Sequence, residues 1–312
     1  MLHSNGLTDS YPARSETIGL IGVGLMGHAI ARRLVSANFS IVGWDKDPGR
    51  LELLEKLGGR AAAGADAVLR ETPRVILSLP DLEVVSDVLR QSRSQLRAGQ
   101  IILDTTTGDP LQSEALGCWV QESGPGYLDA TVLGSSAQIS RGEVVFMVGG
   151  SEAVARQCQD VFSALGKQWF HTGVSGSGAR MKLVTNLVLG LNRAALAEGL
   201  AFTKALGLNQ DQALAVLRAG VAHSRVMDTK GEKMVNSEFE PQARLSQHLK
   251  DVRLILNAAP ELKLPLSEAH RRLLETVVAS GGGGLDNSAI IRAYEAFDIN
   301  GNGVHSPKPV AR

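Results

Sequence analysis

Two cysteines in 312 residues, Cys118 and Cys158, are too few for a disulfide framework and lack metal-ligand spacing. That scarcity fits a reducing compartment, so a cytoplasmic location is expected and no metal site is. Aromatic residues make up only 4% of the chain, and no basic stripe runs among them. The footprint of a nucleic-acid binder is therefore missing. Lysine plus arginine number 32 and aspartate plus glutamate number 32, so there is no net charge to draw in a polyanion. No apolar run approaches the ~20 residues of a bilayer span, and no membrane partner is expected. Residues 1–15 are polar without an apolar centre, so they read as a loose tail rather than a secretory leader.

What is present is glycine, 34 residues of it, and a 44% hydrophobic share ordinary for a globular protein. The length implies about two domains. Short apolar runs at 17–21, 40–44, 74–79, 100–104, 127–132 and 144–148 alternate with amphipathic segments such as 29–37, 50–57 and 82–90. Continuous apolar strands separated by helices predict βαβ units in a parallel sheet covered on both faces. The alternation stops near residue 170. Residues 177–206 then read as one long helix, apolar on more than one face, which would be a central rod wrapped by other helices or by a second subunit. Further helices are expected at 210–220, 243–257, 266–279 and 286–297. The predicted fold is thus α/β, a Rossmann-type parallel sheet domain at 16–174 joined through the long helix to an all-α domain at 175–299. A polar tail follows at 300–312. So much apolar helix surface predicts a homodimer or homotetramer.

Gly22-Val23-Gly24-Leu25-Met26-Gly27 directly follows the first strand and opens a helix. In that context the first glycine permits the tight turn, the second lets a pyrophosphate approach the backbone, and the third lets helix and strand pack closely. Gly22, Gly24, Leu25, Met26 and Gly27 are therefore candidate dinucleotide contacts. Asp45 closes the second strand eighteen residues after Gly27, where an acidic residue bonds the ribose 2′-hydroxyl and repels a 2′-phosphate. NAD is favoured on that count. NADP stays open, because Lys46 and Arg50 lie close by, and Asp45 also reads as the start of a surface turn. Leu79 and Pro80 end the third main strand, on the sheet edge where ligands sit, although a proline-bearing turn needs no ligand.

Four later segments occur in one order. They are Asp104-Thr105-Thr106-Thr107, the stretch from Asp129 to Ser135, the stretch from Gly176 to Asn186, and Lys250-Asp251; the stretch from Gly284 to Ala289 closes the series. Together with the glycine loop they resemble the β-hydroxyacid dehydrogenase family, which includes 3-hydroxyisobutyrate dehydrogenase and tartronate semialdehyde reductase. The resemblance spans roughly residues 17–297. It implies hydride transfer between a nicotinamide cofactor and a small 3-hydroxy acid, with a semialdehyde reductase as the alternative. It further implies that Lys182 is the general acid/base supported by Asn186. Thr106, Leu133, Gly134, Ser135 and Asp251 would meet the substrate, and Thr106 and Lys250 the cofactor. The spacing agrees independently, since Lys182 and Asn186, four apart, share one helix face. A lysine exchanges protons near neutrality only if burial or nearby positive charge lowers its pKa; otherwise Lys182 merely snorkels from a buried helix. Lys250 also reads as a solvated helix lysine. Leu133 stands where the family has serine and Thr131 where it has proline, so the substrate is expected to differ from the best-known acids. Arg33 reads as a surface change.

Other classes fit less well. A 3-hydroxyacyl-CoA dehydrogenase would use a histidine base, but His171 and His223 read as polar residues near loops. Zinc alcohol dehydrogenase chemistry needs a Cys/His cluster. Imine reductases tend to replace the lysine. A decarboxylating relative of the 6-phosphogluconate dehydrogenase type stays open. So does a catalytically silent dinucleotide-binding protein that acts by interaction.

Overall fold

The computed structural model describes residues 16–295. The tails expected at 1–15 and 300–312, and the end of the helix expected at 286–297, lie outside the described residues. Two compact units divide after Lys182, eight residues beyond the boundary read from the sequence.

The first unit runs β1 (Thr17–Ile21), α1 (Leu25–Ser36), β2 (Ser40–Trp44), α2 (Pro48–Lys56), β3 (Arg60–Ala61), α3 (Ala65–Glu71), β4 (Arg74–Leu77), α4 (Leu82–Gln91), β5 (Ile101–Asp104) and α5 (Pro110–Glu122). It continues with β6 (Gly126–Leu133), α6 (Ser136–Ser140), β7 (Val144–Gly150), α7 (Glu152–Arg156), α8 (Gln159–Leu165) and β8 (Gly166–Gly173). The strands form one sheet in the order β3-β2-β1-β4-β5-β6-β7-β8. Every pairing is parallel except β6 with β7, which is antiparallel. An antiparallel pair within the expected parallel sheet follows from the short connection, since α6 is too brief to carry a crossover. Alternate strand residues feed two apolar clusters. Ile18, Leu20 and Ile76 join one with Phe146 and Phe162. Ile21, Val75 and Leu77 join the other with Leu89 and Tyr127. This is the two-sided burial that the continuous apolar runs require.

β8 is an addition to the sequence reading. It is an edge strand with mostly exposed side chains, and so shows no apolar run. His171 belongs to it, and its Nε2 lies 2.8 Å from the Gly150 carbonyl. Arg33 is not simply a surface residue, because its Nε donates to the Ala164 carbonyl at 2.8 Å and ties α1 to α8.

The long helix α9 (Ser177–Ala205) has 29 residues, about 43 Å of rise, and begins in the first unit. The second unit holds the rest of α9 with α10 (Gln210–Ala219), α11 (Arg225–Val235), α12 (Leu245–Ala258) and α13 (Pro265–Ala279). Where a helix was expected from residue 286, a 3-10 turn at Asn287–Ile291 comes first. Leu196, Leu200, Leu214, Met234, Leu249 and Leu274 form its core. Asp286, fully buried, fixes the loop before α12 by accepting from Gln242 N, Ala243 N and both donors of Ser288. Lys230 Nζ meets both its oxygens at 2.9 Å. Burial opposes its ionisation, yet the Lys230 bond and charge hold Asp286 down to about 2.

Candidate active site

The glycine loop sits between the carboxyl ends of β1 and β4, where the strand order reverses. Gly22 has φ +92°, and a Cβ there would lie 2.3 Å from the Ser78 carbonyl oxygen. At Gly27 a Cβ would lie 2.0 Å from the Gly22 carbonyl oxygen, so glycine is needed to seat α1 on its own loop. Gly24, the N-cap of α1, is different: nothing lies within 4 Å of a Cβ built on it. The first and third glycines therefore serve packing. The second leaves bare backbone at a helix N-terminus, a cradle suited to a pyrophosphate. Leu25 beside it is 74% exposed, and Met26 packs on the core.

Asp45 is tied to the same loop. Its Oδ2 accepts from Val23 N at 2.7 Å and its Oδ1 from Asp47 N at 2.9 Å. The carboxylate thus shapes the loop and also starts the turn into α2, the second of the two roles the sequence left open for it. The bare cradle at Gly24 and the half-buried carboxylate at Asp45 fit a nicotinamide dinucleotide.

The next strand ends continue the site. Thr106 Oγ1 accepts from Leu79 N at 3.4 Å, joining the segment Leu79-Pro80 to the end of β5. Thr106 N donates to Asp104 at 2.9 Å, and the Tyr127 hydroxyl donates to the other Asp104 oxygen at 2.8 Å. Burial pushes the Asp104 carboxyl up to about 6, although these hydrogen bonds oppose it. At the end of β6, Leu133 is half-buried and Gly134 follows at φ +147°. Ser135 closes a capping box: its hydroxyl accepts from Gln138 N, and its own amide donates to Gln138 Oε1 at 2.9 Å. Its polar groups are spent on α6, a use that the Ser-x-x-Gln spacing itself signals.

Lys182 lies beside this segment. Its Nζ donates to the Val132 carbonyl at 2.7 Å. The start of α9 is held in place by a residue that opens one of the resembling segments but was given no role from the sequence. Asp129, 2% exposed, accepts from Gly176 N at 3.0 Å and from Ala179 N at 2.9 Å. Thr131 donates to the Gly178 carbonyl at 2.9 Å, so the hydroxyl at this position also anchors the helix. A Cβ on Gly178 would lie 2.2 Å from the Asp129 carbonyl oxygen. The glycines before Lys182 thus let α9 press onto the sheet.

Asn186 follows Lys182 by one turn and is buried in the second unit. Its Nδ2 donates to Asp251 Oδ2 at 3.1 Å, which brings together two residues far apart in sequence. Lys250 precedes Asp251 on α12 and is half-buried.

Comparison with known proteins gives the class. Residues 17–173 match the profile described as the NAD binding domain of 6-phosphogluconate dehydrogenase. Residues 176–294 match that of the NAD-binding region of NADP-dependent 3-hydroxyisobutyrate dehydrogenase. The chain belongs to the β-hydroxyacid dehydrogenase family. Among its relatives in this family, 2-hydroxy-3-oxopropionate reductase of Escherichia coli (strain K12) is 31% identical over 89% of this chain and 97% of its own. The 2-(hydroxymethyl)glutarate dehydrogenase of Eubacterium barkeri is 30% identical over 90% and 96%. A crystal structure of 3-hydroxyisobutyrate dehydrogenase from Salmonella typhimurium superposes with a TM-score of 0.82 at 23% identity, covering 89% of this chain and 99% of that one. This β-hydroxyacid dehydrogenase is accordingly an NAD(P)-dependent oxidoreductase.

Proposed function

We propose that the chain interconverts the alcohol and carbonyl forms of a small 3-hydroxy acid, 3-hydroxyisobutyrate-like, or reduces a semialdehyde such as tartronate semialdehyde, with Lys182 as the proton carrier. When bound, the nicotinamide supplies the hydride acceptor or donor. The residues supporting it are Gly22, Gly24, Leu25, Met26, Gly27, Asp45, Leu79, Pro80, Thr106 and Lys250. In oxidation the neutral Lys182 amine takes the hydroxyl proton as the C–H hydride leaves; in reduction the ammonium returns a proton to the new alkoxide. The observation that carries this reading is the Lys182 Nζ hydrogen bond to the Val132 carbonyl, which aims the amine along the end of β6. Thr106 and the Gly134 amide are the donors for the substrate carboxylate, and Leu133 walls its carbon skeleton. Asn186 and Asp251 hold the reacting end. Ser135 contributes shape, because its donors serve the cap.

Asp45 favours NAD as the cofactor. The exposed apolar stripe of Met181, Val184, Val188 and Phe202 on α9 supports a homodimer or homotetramer. The chain would work in the cytoplasm without nucleic-acid or membrane partners. Assay of a panel of short 3-hydroxy acids and semialdehydes, with NAD and NADP separately, tests the proposal by nicotinamide absorbance. Turnover of at least one acid or semialdehyde, faster with NAD, is expected. A chain that binds dinucleotide but turns over none of them would contradict it.

A further inference from the structure

Asp104 at the end of β5 and Tyr127 on the adjacent β6 are each 1% exposed. Tyr127 belongs to the apolar cluster of Ile21, Val75 and Leu77, yet its hydroxyl is turned onto the Asp104 carboxylate. A phenylalanine and an apolar partner would fill this space without taking polar groups out of water. The bonds of the pair show what the polar groups do there.

The two carboxylate oxygens are divided. Oδ2 accepts from the Tyr127 hydroxyl at 2.8 Å, and Oδ1 accepts from Thr106 N at 2.9 Å. The Thr106 side chain bonds the same carboxylate. Thr106 is 6% exposed, and its Oγ1 also accepts from Leu79 N at 3.4 Å. Strand register explains how the phenol arrives. Tyr127 pairs with Ile102, two residues before Asp104, so its long side chain reaches forward along the sheet to the strand end. Its ring is clamped by α5, since a Cβ on Gly117 would lie 3.0 Å from Tyr127 Cδ1. Packing thus fixes the ring, and the hydroxyl fixes the plane of the carboxylate. With one oxygen so held, the other faces the Thr106 amide.

We propose that Tyr127 and Asp104 are positioning residues: the phenol orients the carboxylate, and the carboxylate fixes Thr106 with its hydroxyl at the ligand-bearing end of β5. The inference rests on the reading of Thr106 as a donor to the substrate carboxylate. A hydroxyl has one hydrogen to give. Asp104 holds it until a substrate carboxylate takes it, and the bond to Thr106 N keeps the backbone in place. The titratable groups facing Asp104 from β6 are Tyr127 and Asp129, the latter paired with it in register. From α5 comes the Ser113 hydroxyl, which bonds Tyr127, and from β4 the Leu77 carbonyl, which accepts from Thr105 N at 2.9 Å.

The test pairs kinetics with a titration that needs no turnover. Tyr127→Phe keeps the ring against Gly117 and removes the donor. For the acid or semialdehyde that the wild type turns over best, KM should rise about tenfold in this variant. Its kcat should stay within about threefold, because binding is lost equally from ground and transition states. Asp104→Ala should raise KM further, and Asp104→Asn, which keeps a carbonyl for Thr106 N, should recover most of that loss. In the full chain without ligands, the Thr106 amide proton signal should titrate with the Asp104 carboxyl, at about 6. That midpoint should move upward in Tyr127→Phe, which loses a bond to the anion, and the titration should vanish in Asp104→Asn. Should Asp104→Ala not fold, Tyr127→Phe still decides. A folded Tyr127→Phe protein with wild-type KM, or a Thr106 amide indifferent to pH across that range, overturns the proposal. Failure of the catalytic reading would show separately, as near-normal turnover in Lys182→Met.

Discussion

Asp129→Asn probes how the fold delivers Lys182 to its place. The carboxylate spends one oxygen on Gly176 N and the other on Ala179 N, at 3.0 and 2.9 Å, inside a site that is 2% exposed. Asparagine has a single acceptor, so one of these N–H groups would face an NH₂. A hydrogen bond to a charged group contributes about 1.5–3 kcal/mol, and a buried unsatisfied donor adds a further cost. Against this, burial already pushes the Asp129 carboxyl upward, so a neutral amide recovers part of the desolvation penalty. The net loss should be about 2 kcal/mol. Lys182 lies only three residues beyond Ala179, so slippage of this first turn displaces Nζ directly. A misplacement of about 1 Å can cost about 100-fold in rate. Urea denaturation should therefore show the stability loss. Steady-state kinetics should show kcat down by about ten- to hundredfold, with dinucleotide affinity nearly unchanged, because the glycine loop is untouched. Wild-type stability together with wild-type kcat would refute the anchoring role.

Two glycine substitutions separate packing from binding. Gly24→Ala should fold normally, since its Cβ meets nothing within 4 Å, yet lose dinucleotide affinity in calorimetry. Gly27→Ala should lose about 1–3 kcal/mol of stability, because its Cβ falls 2.0 Å from the Gly22 carbonyl. Asp104 carries a pH dependence. Its carboxyl stands at about 6 in the folded chain against an ordinary 3.8, so the folded state holds this proton more tightly than the unfolded one. Relative to Asp104→Asn, the wild type should gain up to about 3 kcal/mol as pH falls from about 6 to 4, and lose it as pH rises. Denaturation midpoints of both proteins across that range check the sign, and the opposite slope would contradict it.

Much of this architecture is written in local pattern. β1 and β2 fall at the expected residues because parallel strands buried on both faces are uninterrupted apolar runs. α9 was legible as a single long segment without proline, closed by Gly207. β8 was not, because only Gly166 in it is fully buried. α5 was missed although Asp109 and Pro110 mark its start, the carboxylate accepting from Leu111 N and Gln112 N. In the site, Gly22, Gly24 and Gly27 were legible as a loop, but their division of labour depends on the Ser78 and Gly22 carbonyls, which only folding brings near. Asp129 opened a segment that resembles the family, but no role could be read for it. Its role needs partners about fifty residues away, and no spacing rule reaches that far.

The most direct measurement is single-turnover hydride transfer in Lys182→Met beside wild type, with dinucleotide affinity determined on both. Affinity should agree within about twofold while the transfer rate falls at least a thousandfold, as expected when the general acid/base is removed. A methionine variant that transfers hydride at a rate near wild type would mean that the proton travels by another group, and the assignment of Lys182 would be wrong.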